Sequence, residues 1–421
     1  MLKSLQLPKV ETSVFPVTQQ LNDKSDIKVS IIIPTYNKYP LNLFTLYSLE
    51  KQNFNMNQME VILVDDGSTD PTSSIPFQHQ FPFLLKYIKC FNNIGRPKAR
   101  NLGIKAASGE VIIFLDAEVI VKNDFVLNHF NSHMSRNNLV NIGVLVMKGL
   151  YSVLFPGYTQ AQLNEVNKLT QDNPHYNKKI NDFVSNKKIT PLISQADIHN
   201  ENYSMLSFVK PLEKFYERGI FNHFNDSFAG YRLPWIAFGT GNISVKRSFL
   251  EKVGLLFEEY DGYGWDDIEM GYRLYKSGAV FQNGRNIVTY HQEHPISTSN
   301  QIDANNNYCR FIEKHNDIDA MGITLSFTPR PTNYHKINAI LNEYHQLGTS
   351  HPQQYKLFKK VYREMLKKIA YKRKNNEPIA RLIDGLITPN ENRMLALQKM
   401  HLAKLRVFHN LLQSFQELER F

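Results

Sequence analysis

Cysteine is nearly absent. The 421-residue chain has two, Cys90 and Cys309. That excludes a disulfide framework and a Cys-rich zinc site, and it suits a reducing compartment. Long apolar runs are also missing. A membrane-crossing helix needs about 18 or more consecutive apolar residues. The nearest stretch, residues 139–155, is interrupted by Asn141, Lys148 and Gly149 and reads as buried strand and turn. The first twenty residues contain Pro8 and Pro16 and lack the apolar core of a signal peptide. Internal repeats and low-complexity tracts are absent as well. A soluble, cytoplasmic protein is expected, at most peripheral at a membrane.

What is present is ordinary globular composition, 42% hydrophobic and 21% charged, in a chain long enough for two or three domains. The net charge of +10 is unevenly placed. Residues 352–406 hold 14 of the 49 Lys+Arg but only 4 of the 39 Asp+Glu, so this stretch carries the whole excess.

Residues 1–27 read as a loosely ordered lead-in. Residues 29–33 form a buried strand closed by Pro34, and 41–52 carry Leu43, Leu46, Tyr47 and Leu49 at helical spacing. A second buried strand, 61–64, runs into Asp65-Asp66-Gly67-Ser68-Thr69-Asp70. Residues 84–88 suit a third. Pro97 fits a first helical turn, and the helix continues over 99–107 until Gly109. Another apolar strand covers 111–115. Continuous apolar strands separated by helices predict a mostly parallel sheet covered on both faces.

Residues 150–235 show no clear period apart from a helical stretch at 160–171. Regularity returns at 239–245, and 286–290 reads as a strand. From about 335 the pattern is helical. Thr388-Pro389 with Glu391 marks a helix start, and Leu397, Met400, Leu405, Phe408, Leu412 and Phe415 make an apolar stripe.

Parallel sheets bind ligands beyond the carboxyl ends of their strands. Pro34-Thr35-Tyr36-Asn37 and Asp65-Asp66-Gly67-Ser68 sit at such ends, where a carboxylate can accept from a pyrimidine N–H. Taken alone, the acidic loop is better read as a turn and helix cap. Asp116-Ala117-Glu118 follows the strand 111–115. If the backbone stays extended, residues at i and i+2 point the same way, and two such carboxylates can hold a hard divalent ion that binds diphosphate oxygens. Alone, the motif is better read as a solvated loop; its place after a buried strand, downstream of the Asp66 loop, reverses that.

Asp266 and Glu269 fit a helix N-cap and its reciprocal partner. That leaves Asp267 in the first turn, beside Trp265, with no capping duty. A carboxylate there can act as general base towards a hydroxyl or thiol, kept ionised by the helix N-terminus. Whether Asp266 or Asp267 is the base stays open. His291, beyond the strand 286–290, would complete a carboxylate and imidazole set that suits Mn²⁺ and tolerates Mg²⁺. His294 competes for that place, and a structural histidine is the plainer reading of either.

In this order, the pieces resemble the inverting family 2 glycosyltransferases of the GT-A fold. The resemblance runs from about Val29 to Pro295. It is carried by 29–37, 64–70, Asn93-Ile94-Gly95 with Ala99-Arg100-Asn101, and 114–118. The stretch from Gly239-Thr240-Gly241-Asn242 through Trp265-Asp266-Asp267-Ile268-Glu269 to His291 is similar to the C-terminal part of galactosyltransferase-like and chondroitin-polymerase-like enzymes.

The resemblance implies an α/β GT-A fold, Rossmann-like, with a mostly parallel sheet and flanking helices. It would span 28–316, with a donor half at 28–150 and an acceptor half at 235–300; the helical basic domain at 330–421, read from its own pattern and charge, lies beyond the resemblance. Pro34, Thr35 and Tyr36 would line a uridine pocket, Asp66 would hold the uracil, and Arg100 would lie near the nucleotide. Asp116 would bind ribose or a metal-bound water, Glu118 and His291 would ligate Mn²⁺ or Mg²⁺, and Gly241 and its neighbour Asn242 would lie under the donor sugar. Asp267 would be the base, with Asp266 and Trp265 at the acceptor. The family's metal motif usually ends in Asp; here it ends in Glu118.

The activity so implied is metal-dependent transfer of a hexose or N-acetylhexosamine from a UDP-sugar to a glycan or peptide acceptor, by single displacement with inversion. A glycoside hydrolase, which also needs two carboxylates, and a non-catalytic binding module are the alternatives. The basic tail reads either as a solvated face over a packed core or as a contact for an anionic partner, a membrane surface or a second copy of the chain. No nucleic-acid motif is present.

Overall fold

The computed structural model describes residues 9–15, 27–171, 173–255, 257, 260–295 and 300–421. The chain divides into two compact units. One comprises Met1–Tyr216, Trp235–Glu259 and Asp266–Ser297; the other comprises Glu217–Pro234, Tyr260–Trp265 and Thr298–Phe421.

The first unit is built on strands β1 (Val10–Phe15), β2 (Val29–Thr35), β3 (Met59–Asp65), β4 (Leu84–Cys90), β5 (Val111–Leu115), β6 (Val119–Val121), β7 (Leu139–Ile142), β8 (Lys148–Leu150), β9 (Val153–Leu154), β10 (Thr190–Pro191), β11 (Ser207–Phe208), β12 (Asn242–Lys246), β13 (Val280–Asn283) and β14 (Thr289–Gln292). An eight-stranded sheet has the order β1-β4-β3-β2-β5-β12-β7-β13, and a smaller one the order β11-β8-β14-β6. The four strands β4-β3-β2-β5 are parallel. β1 and β12 run antiparallel to their neighbours, so the large sheet is mixed, with a parallel centre.

All residues of β3 and β5 are buried, as continuous apolar runs require of strands covered on both faces. Helix Arg96–Ala106 lies close against this centre. A side chain at Gly103 would clash with Ile32, so only glycine permits the approach.

Several expectations change. Within the presumed lead-in, residues 10–15 form an edge strand paired with β4; residues 1–8 and 16–26 lie outside the described residues. This strand is mostly exposed, and its stability comes from cross-strand pairing that local sequence does not reveal. The region 150–235 contains helices Gln160–Thr170 and Pro174–Asn186, each with a side-chain N-cap. The latter presents few apolar residues, with Ile180 and Phe183 buried.

The second unit is helical, with Asn300–His315, Tyr334–Ser350, Lys356–Lys374, Pro389–Leu405 and His409–Glu419. Thr388 and Glu391 form the predicted capping box. Phe358 and Phe415 stack at 4.4 Å in its core. The apolar stripe divides: Phe408, Leu412 and Phe415 are buried, whereas Leu397 and Met400 are exposed and Leu395 and Leu402 face inward instead. The basic residues of Lys356–Lys374 flank a buried row of Phe358, Val361, Tyr362, Met365, Leu366 and Ile369. Among the described residues, no helix is long and apolar enough to cross a membrane.

Candidate active site

The site residues gather at the carboxyl ends of β2, β3 and β5. Asp65 is spent on structure, accepting from Ser68 N–H and the Tyr87 hydroxyl. Asp70 accepts from the N–H groups of Tyr39 and Thr72, which is the predicted capping role. Asp66 differs. Its two oxygens accept from Ile94 N–H at 2.7 Å and Gly95 N–H at 3.0 Å. Burial raises its carboxyl to about 6 against those bonds. Thr35 is buried and accepts from the Asn42 amide, Pro34 is partly exposed, and Tyr36 lies open to solvent. Together they form a ledge of peptide and ring surface beside an oriented carboxylate.

Asp116 and Glu118 leave β5 through a turn closed by Val119 N–H to the Asp116 carbonyl, and they diverge. Asp116 lies 3.8 Å from the Arg100 guanidinium. Burial and the Glu118 charge raise its carboxyl against Arg100. Because β12 pairs Asn242 with Leu115, Gly241 falls opposite Asp116. A Cβ on Gly241 would stand 2.9 Å from Asp116 Oδ2. Asn242 itself is fully buried. Its amide binds His129, Thr289 and the Ile287 carbonyl, so it supports Gly241 from beneath and does not face a ligand.

Glu118 meets two histidines. His291 lies within β14, not beyond a strand, and pairs with Val119 of β6. That register brings Glu118, His291 and His294 together, with one ligand atom of each within 4.8 Å of the others. Asp116 is not in this group; His294 is its third member.

Each ring has a second partner. His291 Nδ1 is 3.1 Å from Glu293 Oε1, and His294 Nδ1 is 2.8 Å from the Pro295 carbonyl. When each Nδ1–H is donated this way, each Nε2 keeps its lone pair for a metal. Glu293 is held at about 2: burial opposes ionisation, but the His291 bond and charge and Lys210 outweigh it. Burial also opposes ionisation of Glu118, and His294 and Lys38 reverse it, holding the carboxyl well below the usual range. One carboxylate and two oriented imidazoles suit Mn²⁺.

Asp266 begins helix Asp266–Lys276 and is not its N-cap. Its carboxylate binds Arg100 at 2.5 Å, while Glu269 pairs with Arg273 at 2.9 Å. The expected reciprocal cap is replaced by two ion pairs. Asp267 is half-buried and accepts from Ile268 N–H. Its carboxyl is raised to about 7, by burial first and then by the Asp266 charge, with Arg100 opposing. The helix N-terminus was expected to keep it fully ionised; desolvation wins. Asp266 is thus committed to Arg100, while the neighbouring Asp267 carries a carboxyl poised near neutrality. In the helical unit, the Trp265 ring packs on Tyr308 at 4.4 Å and on Phe311 at 5.4 Å.

Lys38, Lys210 and Glu293 were not singled out from sequence. A His-x-x-His-like spacing, His291 and His294, was the visible signal for the second histidine.

The family model described as "Glycosyl transferase family 2" matches residues 30–224. An uncharacterized glycosyltransferase of Bacillus subtilis, YfnE, is 31% identical over 84% of this chain and 86% of its own length. Hyaluronan synthase of Pasteurella multocida is 26% identical over 64% of this chain, which spans only 25% of that protein. A solved structure of residues 1–349 of S. aureus TarS in complex with UDP-GlcNAc aligns at TM-score 0.47 and 17% identity, over 93% of this chain and 90% of that one. The chain belongs to glycosyl transferase family 2. It is a glycosyltransferase of α/β GT-A architecture, and the hydrolase and non-catalytic alternatives give way to that assignment.

Proposed function

We propose that the enzyme transfers a hexose or N-acetylhexosamine from a UDP-sugar to an acceptor hydroxyl or thiol, with inversion and with a divalent cation. The observation that carries this is the pairing of Asp266 with Arg100, which leaves Asp267 as the free carboxylate poised near neutral pH.

Asp66, with Pro34, Thr35 and Tyr36, binds the uridine; its oriented oxygens suit a ring N–H. Arg100 and Asp116 lie towards the diphosphate and ribose. Glu118, His291 and His294 would hold the cation, which when bound offsets the charge of the departing diphosphate. Gly241 leaves room for the donor sugar beside Asp116. Asp267 takes the acceptor proton as its oxygen or sulfur attacks the anomeric carbon opposite the leaving UDP. A relative named hyaluronan synthase supports a glycan as acceptor ahead of a peptide. The basic helix Lys356–Lys374 supports contact with an anionic acceptor or membrane surface.

The test is UDP release from a panel of UDP-sugars with Mn²⁺, repeated with chelator and with Asp267→Asn. One donor should be hydrolysed slowly in a metal-dependent manner, and the substitution should reduce it. Failure of UDP to bind at all would overturn the assignment of Asp66 and its neighbours.

A further inference from the structure

The cation seat already contains a positive charge. Lys38 Nζ lies 2.8 Å from Glu118 Oε1 and 2.9 Å from His294 Nε2, two of the three converging ligand atoms. An ammonium donates to the same lone pairs that a metal would take.

This is not a wandering surface lysine. Its backbone is pinned on both sides: Asn37 N–H donates to Ser68 Oγ, Asn37 Oδ1 accepts from Thr69 N–H, and Tyr39 N–H donates to Asp70. Its own carbonyl accepts from Asn42 N–H at the start of helix Leu41–Leu49. The side chain is 24% exposed and Glu118 15%. In so sheltered a place, an ammonium and a divalent ion on shared ligands repel strongly. The long flexible lysine stem allows the ammonium to leave.

We propose that Lys38 is a built-in competitor for the divalent cation: its ammonium and the metal exclude one another at Glu118 and His294. This rests on the metal reading above and adds to it. The donor-free enzyme thereby keeps Glu118 neutralised, and its cation affinity is held below what the three ligands alone would give.

The test is titration of the whole, nucleotide-free protein with MnCl₂, followed by calorimetry and by the paramagnetic resonance signal of free Mn²⁺. Lys38→Met should bind Mn²⁺ at least about tenfold more tightly than the unaltered chain. Lys38→Arg, which keeps the charge, should not. Binding by Lys38→Met alone would support the proposal equally. Equal or weaker binding by a folded Lys38→Met, with the unaltered chain binding normally, would overturn the competition and leave the metal reading standing. No Mn²⁺ binding by either chain would overturn both. Lys38→Gln serves in place of Lys38→Met if circular dichroism shows that the latter is unfolded.

Discussion

Arg100 and Asp266 are joined by a 2.5 Å ion pair between helices Arg96–Ala106 and Asp266–Lys276, and both side chains are almost fully buried. The same guanidinium lies 3.8 Å from Asp116. One cation therefore serves two carboxylates that come from distant parts of the sequence.

Removing that cation should leave buried acids uncompensated. Arg100→Met should lower stability by about 3–5 kcal/mol. In urea denaturation, the double variant with Asp266→Asn should lose less than the sum of the single variants. Strict additivity would show that the pair is not energetically coupled.

Asp267→Asn keeps the shape and removes the proposed base. Transfer should fall by about 10²–10⁴-fold, while the dissociation constant of UDP stays within a few-fold. Steady-state kinetics and UDP titration separate the two, and parallel loss of UDP binding would contradict the assignment.

The pH dependence follows from the carboxyl raised to about 7. A base must be ionised, so kcat/KM should fall as pH drops below about 7, by about tenfold per unit. Stability moves the other way. The folded value lies above the unfolded one, near 3.8, so the folded state binds the extra proton. This contribution is fully present below about 4 and is lost as pH rises through 7. Relative to the unaltered chain, Asp267→Asn should therefore gain thermal stability at pH 8 and not at pH 4.

Glu293 orients His291 and touches no ligand in the proposed mechanism. Glu293→Gln should weaken Mn²⁺ binding about 10–100-fold, while UDP binding in the absence of metal is unchanged. Unchanged Mn²⁺ affinity would make the Glu293–His291 bond incidental.

Gly241→Ala places a methyl group 2.9 Å from Asp116 Oδ2. Only the ends of the Asp116 and Met147 side chains need move, so the melting temperature should change little while transfer falls. An alanine variant with full activity would show that Asp116 yields without consequence.

Much of this was visible in the chain. Buried strands declare themselves by uninterrupted apolar runs such as 61–64 and 111–115, because both faces are covered. Thr388 and Glu391 announce a helix start because capping is a contact between residues three apart. Asp66, Glu118, Asp267 and His291 were picked out by residue type and position along the chain, and the structure brings Glu118 and His291 together. Val10–Phe15 was not recognisable as a strand, since its partner β4 lies 70 to 80 residues further along the chain.

The sequence by itself determined the parallel centre of the sheet, the acids at its carboxyl ends and the placement of the positive charge, all of which depend on local periodicity, residue type or order. Only the tertiary structure decided how those acids are used. Strand pairing between β6 and β14 brought His291 and His294 to Glu118, and the turn after β2 brought Lys38 to the same carboxylate. Burial beside Asp266 set Asp267 near neutrality, against the pull of its helix. Both outcomes depend on through-space distance and desolvation, which spacing along a chain does not encode.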